Sequence, residues 1–448
     1  MEDLNPHSEN GRSDGPDWAA LPGETPRVPF TAAWPDRLFA LVFYALGYFY
    51  IRYAFSSSGR WPAGVFTIVY AAVILGYFLL KHVRLSRFSW FWLGALLALG
   101  TSFILFDNQS LLGFDVLILH GLALYWPLCA AGCVLKDGTS SLLPFDLVNA
   151  VFILPFGNWG AQVRCLFCGW RREKSVGWGK RILTVLLGIV LLFVLLVLVV
   201  PLLYRADAAF ERVLSFLIEL MGRFRWRPDL FLLLAVPVGA YLFGLVFGCA
   251  NQRHTGHIRT DGLAEAGKDA RLIPNAALYI AMGGVCVVYT LFVILQFQEL
   301  CSAFAGRLFG TEQYSAFARE GFFELCRVAS INGFILLGAD LLAVRERRES
   351  RLLRGFHVVL AVLTLFILAS AARKMLLYIH VFGLTAKRVL TLAFMAMLAV
   401  LFGGIIVWQK RDFPFVRVAV VFAVVLFCLL ALCDLDACIL AFNAAYGF

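Results

Sequence analysis

The apolar positions of this chain come in long, nearly unbroken runs separated by short polar breaks. A helix that crosses a bilayer needs about 20 mostly apolar residues. Eleven runs approach that length: 38–54, 61–80, 88–106, 111–135, 182–204, 230–249, 276–297, 322–344, 358–382, 389–409 and 414–433. The pattern predicts an all-α, polytopic transmembrane helix bundle of about eleven spans. The first run is short and carries Arg52 near its end, where a long side chain can reach the interface.

Two further stretches are apolar without reading as spans. Residues 142–159 are interrupted by Pro144, Asp146, Asn149 and Pro155, which suggests a re-entrant or interfacial piece. Residues 207–224 place Phe210, Val213, Leu214, Leu217, Met221 and Phe224 on one helical face, with Glu211, Arg212, Ser215 and Glu219 opposite. That spacing predicts one amphipathic helix lying in the membrane surface.

Composition then fixes the class. Apolar residues make up 61% of the 448, and charged residues 15%. Soluble domains run nearer ~45–50% and ~25%. Lipid is therefore the expected partner. The net charge of +10 does not indicate nucleic acid, because most of the basic residues sit in the breaks on one side of the predicted bundle. Placing the N-terminus inside puts the basic segments 81–87, 136–181, 253–271 and 345–354 on the inner side. The positive-inside rule then gives a cytoplasmic N-terminus and an extracytoplasmic C-terminus; the bacterial inner membrane as the location is what the resemblance given below implies. Four regions follow: a disordered acidic arm (1–36), a four-helix membrane region (37–135), a basic cytosolic loop with the re-entrant piece (136–181) and a seven-helix membrane region (182–448).

Several chemistries are excluded by missing motifs. There is no Walker loop, no His-Glu-x-x-His and no Gly-x-Ser-x-Gly. The first outer loop, 56–60, has no acidic pair, which disfavours sugar transferases that keep their catalytic acids there. Cys165 and Cys168 form a Cys-x-x-Cys pair in one inner loop, and His254 and His257 a His-x-x-His pair in the next. Two thiolates and two imidazoles could hold zinc tetrahedrally. The alternative is a reduced thiol pair and two solvated imidazoles. No other cofactor is expected.

Charges inside apolar runs are better guides, since one at mid-bilayer costs about 2.5–3.5 kcal/mol on insertion scales. Three groups stand out. Glu320, Glu324 and Arg327 share a face at the outer end of the eighth run, with Asn332 deeper. Arg373, Lys374 and Tyr378 lie in the outer half of the ninth. Asp434 and Asp436 follow the last. The topology brings all three to the outer end of the bundle. There they form either an ion-pair network that fixes helix packing or a pocket for a ligand, ion or reaction.

The same residues carry a resemblance. The stretch from Phe317 to Leu325 reads Phe-Ala-Arg-Glu-Gly-Phe-Phe-Glu-Leu. Ser370–Ile379 is followed by Phe382-Gly-Leu-Thr385 and Arg388, and Asp436-Ala437 by Asn443. Together these resemble the signatures of a group of bacterial multi-pass membrane proteins known as domains of unknown function of the 4153/4173 type, from about residue 206 onward. Phe317, Lys374, Leu435 and Phe442 depart from the patterns, which have Tyr, Arg, Pro and Tyr there. The resemblance adds Thr385, Arg388 and Asn443 to the candidate cluster and brings no activity with it.

Three functions fit these observations. The first is a non-enzymatic sensor or accessory protein that binds a ligand, or a membrane or signalling protein, through the outer cluster. The second is a transporter of a small anion or a proton-coupled solute, lined by Arg327, Arg373 and Lys374. The third is a membrane enzyme using outer-face carboxylates. Sparse polar residues in the inner half of the ninth run, where 359–368 offer only Thr364, disfavour transport.

Overall fold

The computed structural model describes residues 32–55, 59–107, 111, 113–136, 138–167, 212–213, 215–216, 228–256, 258, 260–269, 271–304, 311–344, 350–411 and 413–447. For 55, 228–230, 296–304 and 311–324 it describes the backbone alone. Among these residues the fold is helical, with one isolated bridge between Ile273 and Ala343.

The N-terminal helices are α1 (Trp34–Phe49), α2 (Trp61–Leu80), α3 (Ser89–Leu105) and α4 (Phe114–Ala130). Pro35 and Pro62 sit in the first turns of α1 and α2, where a missing amide costs nothing. A π-helical turn, Tyr50–Phe55, prolongs α1. Gly113 (φ 80°) precedes α4 and Gly132 (φ 68°) follows it. Both adopt the left-handed conformation that glycine tolerates, so the apolar run at 111–135 yields a helix of only 17 residues.

Short helices α5 (Leu143–Val148), α6 (Leu154–Gly157) and α7 (Ala161–Leu166) come next, with a π-helical turn, Asn149–Ile153, between the first two. The remaining helices are α8 (Pro228–Ala250), α9 (Thr260–Asp269), α10 (Asn275–Phe304), α11 (Thr311–Leu342), α12 (Arg351–Phe382), α13 (Ala386–Lys410), α14 (Phe415–Leu432) and α15 (Leu435–Tyr446). Among the described residues seven helices, α2, α8 and α10 to α14, contain segments long and apolar enough to cross a membrane. The expected run at 182–204 lies outside the described residues, as does the surface helix at 207–224 apart from residues 212, 213, 215 and 216.

The helices form two cores. The first is built from α1 to α4, the short helices and α8, and includes Phe43, Tyr77, Trp92, Trp126 and Phe243. The second joins α10 to α13 through Met282, Ala329, Leu360 and Phe402. α14 packs on both α3 and α13 and so connects them. Close approach matters most between α1 and α8. A Cβ on Gly47 would fall 2.6 Å from the Ala235 carbonyl, and one on Gly239 2.8 Å from that of Phe43. Small residues allow this backbone contact, which is how helices associate where no hydrophobic difference drives them together.

Polar contacts show which helix ends share a face. At one end, Lys81 pairs with Asp36 at 3.1 Å, the Ser86 amide donates to the Ala130 carbonyl, and Arg417 Nε donates to Thr139 O. Tyr279 also meets Ser350 at that end of the second core, at 2.6 Å. This face carries Lys81, Arg84, Arg87, Lys136, Arg253, Arg351, Lys410, Arg411 and Arg417, and is called the basic face below. At the opposite face Arg60 pairs with the buried Asp115, and Tyr50 hydrogen-bonds His120 at 2.8 Å.

The interrupted segment enters and leaves from the basic face. Asp146 Oδ1 accepts from the Leu135 amide at 2.8 Å. Further along, Tyr241, in the middle of α8, donates to Val151 O. Asn158 then donates to the carbonyl of Arg253, beyond the end of α8. The two prolines and the π-helical turn break 142–159 into short helices whose two ends both lie at the basic face. α8 begins at the opposite face, where Arg52 stacks on Phe231 at 5.3 Å.

Candidate functional site

The residues of the three sequence clusters, with those the resemblance adds, are carried by α11, α12, the link to α13, and α15. α12 has 32 residues. At 1.5 Å per residue that is about 48 Å, well beyond the ~30 Å hydrocarbon thickness. Its last turns, the link to α13 and α15 together form a ledge at this end of the second core. Gly383 ends the helix with φ 75°, and three residues later α13 starts back down.

A clasp forms at this turn. Asn443 Oδ1 accepts from the Leu384 amide at 2.7 Å, and its Nδ2 donates to the Leu384 carbonyl at 3.0 Å. The side-chain amide thus pairs with one backbone residue as strands pair in a sheet, fixing α15 across the α12–α13 link. Arg388 Nη1 donates to the carbonyls of Phe382 and Gly383, which α12 leaves unpaired at its end. The Arg388 guanidinium also lies 4.2 Å from the Tyr378 ring centroid. Asp434 caps α15 by accepting from the Ala437 amide at 3.0 Å. Clasp and cap thus use Arg388 and Asn443, which the resemblance added, and Asp434 of the third cluster to hold backbone.

The other candidates are placed as follows. Arg373 and Lys374 are half-buried on α12, Arg327 is exposed on α11, and Asp436 is half-buried in the first turn of α15. Thr385 is exposed and precedes α13 without a side-chain cap. Asn332 lies away from the ledge, fully buried, and donates to Thr364 Oγ1 at 2.9 Å. Glu320 and Glu324 belong to α11, and their side chains lie outside the described residues.

Of the zinc candidates, Cys168 and His257 lie outside the described residues. Cys165 is fully buried, and His254 Nδ1 is hydrogen-bonded to Asn158 Oδ1 at 3.0 Å. Among the described residues, no group of three or more His, Cys, Asp and Glu is arranged to hold a metal.

Sequence reasoning missed three polar positions. Asp36, assigned to the disordered arm, is fully buried in α1, where it accepts from the Tyr77 hydroxyl at 2.6 Å and pairs with Lys81. The Trp-Pro-Asp opening of a helix was the available signal. Gln162 is buried and donates to Ala40 O at 2.8 Å. Asp146 is fully buried with Oδ2 unpaired, one turn from Asn149, whose Oδ1 is also unpaired. Burial pushes the Asp146 carboxyl up to about 6, against the opposing pull of the Leu135 amide.

Comparison with curated proteins and with solved structures gives no match. One family pattern, described as a domain of unknown function (DUF4153), matches residues 93–446. The match starts in α3, well before residue 206 where the resemblance was read, and runs to the end of α15. It covers most of the chain, which therefore belongs to the DUF4153 family.

Proposed function

We propose that the protein is a non-enzymatic inner-membrane component, a sensor or accessory protein that binds a ligand or a partner protein at the extracytoplasmic ledge. The observation that carries this reading is the clasp. Arg388 and Asn443 are committed to backbone carbonyls and amides, and Asp434 to a helix cap. Groups held this way shape a surface rather than exchange protons with a substrate. Around them Thr385, Asp434, Leu440 and Tyr446 are exposed. In this reading the chain crosses about eleven times, with the basic face in the cytoplasm. Arg327, Arg373, Lys374 and Asp436 flank the clasp and supply its charge.

Photoreactive residues at Thr385 and Tyr446, introduced into the full chain in native membranes, test the proposal. A discrete cross-linked adduct at both positions, with no solute flux in reconstituted vesicles, is expected. Anion or proton flux that falls with Arg373→Gln or Lys374→Gln would replace it with the transporter reading. Cysteines at Ser57 and Gly447 check the orientation, since both should react from outside.

A further inference from the structure

At the opposite end from the clasp, the basic face carries a cleft with a volume of about 340 Å³. That lies at the lower end of the range for small-molecule sites. Three separate segments build it: Ser86, Arg87 and Phe88 from the α2–α3 link, Lys136 and Gly138 from the α4–α5 link, and Arg417 from the first turn of α14. No acidic residue is among the described residues that line it, and Asp137, between Lys136 and Gly138 in the chain, lies outside the described residues.

Two features separate this cleft from an ordinary basic loop. The three cations come from segments distant in sequence and surround one concavity. Arg417 is also held in place. Its Nε donates to Thr139 O at 3.1 Å, and its guanidinium sits 5.4 Å from the Phe88 ring centroid. The guanidinium passes beside Gly138, where a Cβ would lie 3.1 Å from Nη2 and where φ is +84°. A glycine meets both demands, so backbone and cation fit together. A pre-positioned guanidinium between two further cations suits a phosphate oxyanion, which arginine binds by paired hydrogen bonds.

We infer that this cleft is a binding site for a phosphate-bearing anion at the cytoplasmic membrane surface, either an anionic lipid headgroup or a free phosphate compound. The site stands whether or not the ledge binds a partner.

The test uses the full chain, purified in neutral detergent and stripped of lipid. Native mass spectrometry follows titration with phosphatidylglycerol or phosphatidylcholine, and calorimetry follows inorganic phosphate. One phosphatidylglycerol per chain should bind and phosphatidylcholine should not. Arg87→Gln, Lys136→Gln and Arg417→Gln should each weaken binding about five-fold, as expected for one basic residue at a membrane surface. The exposed pair Arg84→Gln and Arg411→Gln, outside the cleft, serves as the charge control and should change nothing. Inorganic phosphate that displaces the lipid identifies phosphate alone as the determinant, and lipid binding without phosphate binding identifies the whole headgroup. Equal losses in cleft and control variants, or equal binding of the two lipids, would overturn the site. Arg87 and Lys136 are exposed, so their variants keep the test alive if Arg417→Gln fails to fold.

Discussion

Asn443→Ala should release α15 from the ledge. The wild-type amide makes two hydrogen bonds to Leu384, at 2.7 and 3.0 Å. Alanine removes both and leaves the Leu384 amide and carbonyl without those partners in a half-buried position. A hydrogen bond contributes about 0.5–1.5 kcal/mol net, and an unsatisfied buried group costs about 1–3 kcal/mol. Partial water access places the sum near 2 kcal/mol. The loss is local, because Leu435, Ile439 and Phe442 still pack against the cores.

Hydrogen exchange reads such local opening directly. About 2 kcal/mol corresponds to about thirty-fold faster exchange, since 1.4 kcal/mol is ten-fold. Peptides covering 383–388 and 435–446 should show it, while those from α1 to α4 stay protected. Asn443→Asp adds a sign test. At neutral pH a carboxylate can still accept from the Leu384 amide, but it faces the Leu384 carbonyl with negative charge. Protonation restores a donor, so this variant should open less at pH 4 than at pH 7. Unchanged exchange in the two peptides, or a uniform rise across the chain, would refute the clasp as a local fastener.

Three more outcomes follow from the basic face and the α1–α8 contact. Lys81→Met leaves Asp36 buried and charged, which should cost about 3–5 kcal/mol, seen as a lower thermal midpoint; adding Asp36→Asn should recover most of it. Asp146→Asn should stabilise the protein above pH 6 and do nothing below about pH 4. The raised folded value of about 6, against about 3.9 unfolded, means that ionisation penalises the folded state. The penalty grows from pH 4 to pH 6 and then levels at about 3 kcal/mol, so melting curves across that range check its direction. Gly239→Leu should separate α1 from α8 and cost about 1–3 kcal/mol or more by overpacking, whereas Gly94→Leu, with nothing within 4 Å of its Cβ, should be near neutral in the same melting assay.

Helix content and the positions of most runs were legible because lipid demands long apolar stretches, and those stand out in any window. The interruption of 142–159 was legible for a related reason: Pro144, Pro155, Asp146 and Asn149 break a run that otherwise looks like a span. The boundary of α4 was not, since Gly113 and Gly132 are ordinary letters until their left-handed φ is known. Asp36 was misplaced because a single carboxylate beside a Pro-rich acidic arm reads as part of that arm. Only the fold brings Tyr77 and Lys81, some 40 residues on, to meet it. The outer cluster was legible as residue types and not as contacts. Charge in a span flagged Arg373 and Lys374, yet the clasp is made by Asn443 and Arg388, and their partners are backbone groups that no side-chain pattern can reveal.

Arg388 and Asn443 look from sequence like members of a polar cluster, and Gly383 and Leu384 lie within the same family signature. In the fold they solve a mechanical problem. α12 rises about 48 Å, leaves its last carbonyls without helical partners, and must reverse within three residues. Gly383 supplies the left-handed turn, and Arg388 satisfies the exposed carbonyls. Asn443 uses the Leu384 peptide as an anchor for the final helix. A chain that needed only to end its last span at the membrane would have no use for this construction. What it achieves is a fixed place for α15 across the α12–α13 link. Groups committed to backbone in this way favour the proposed binding role over a proton-transfer role.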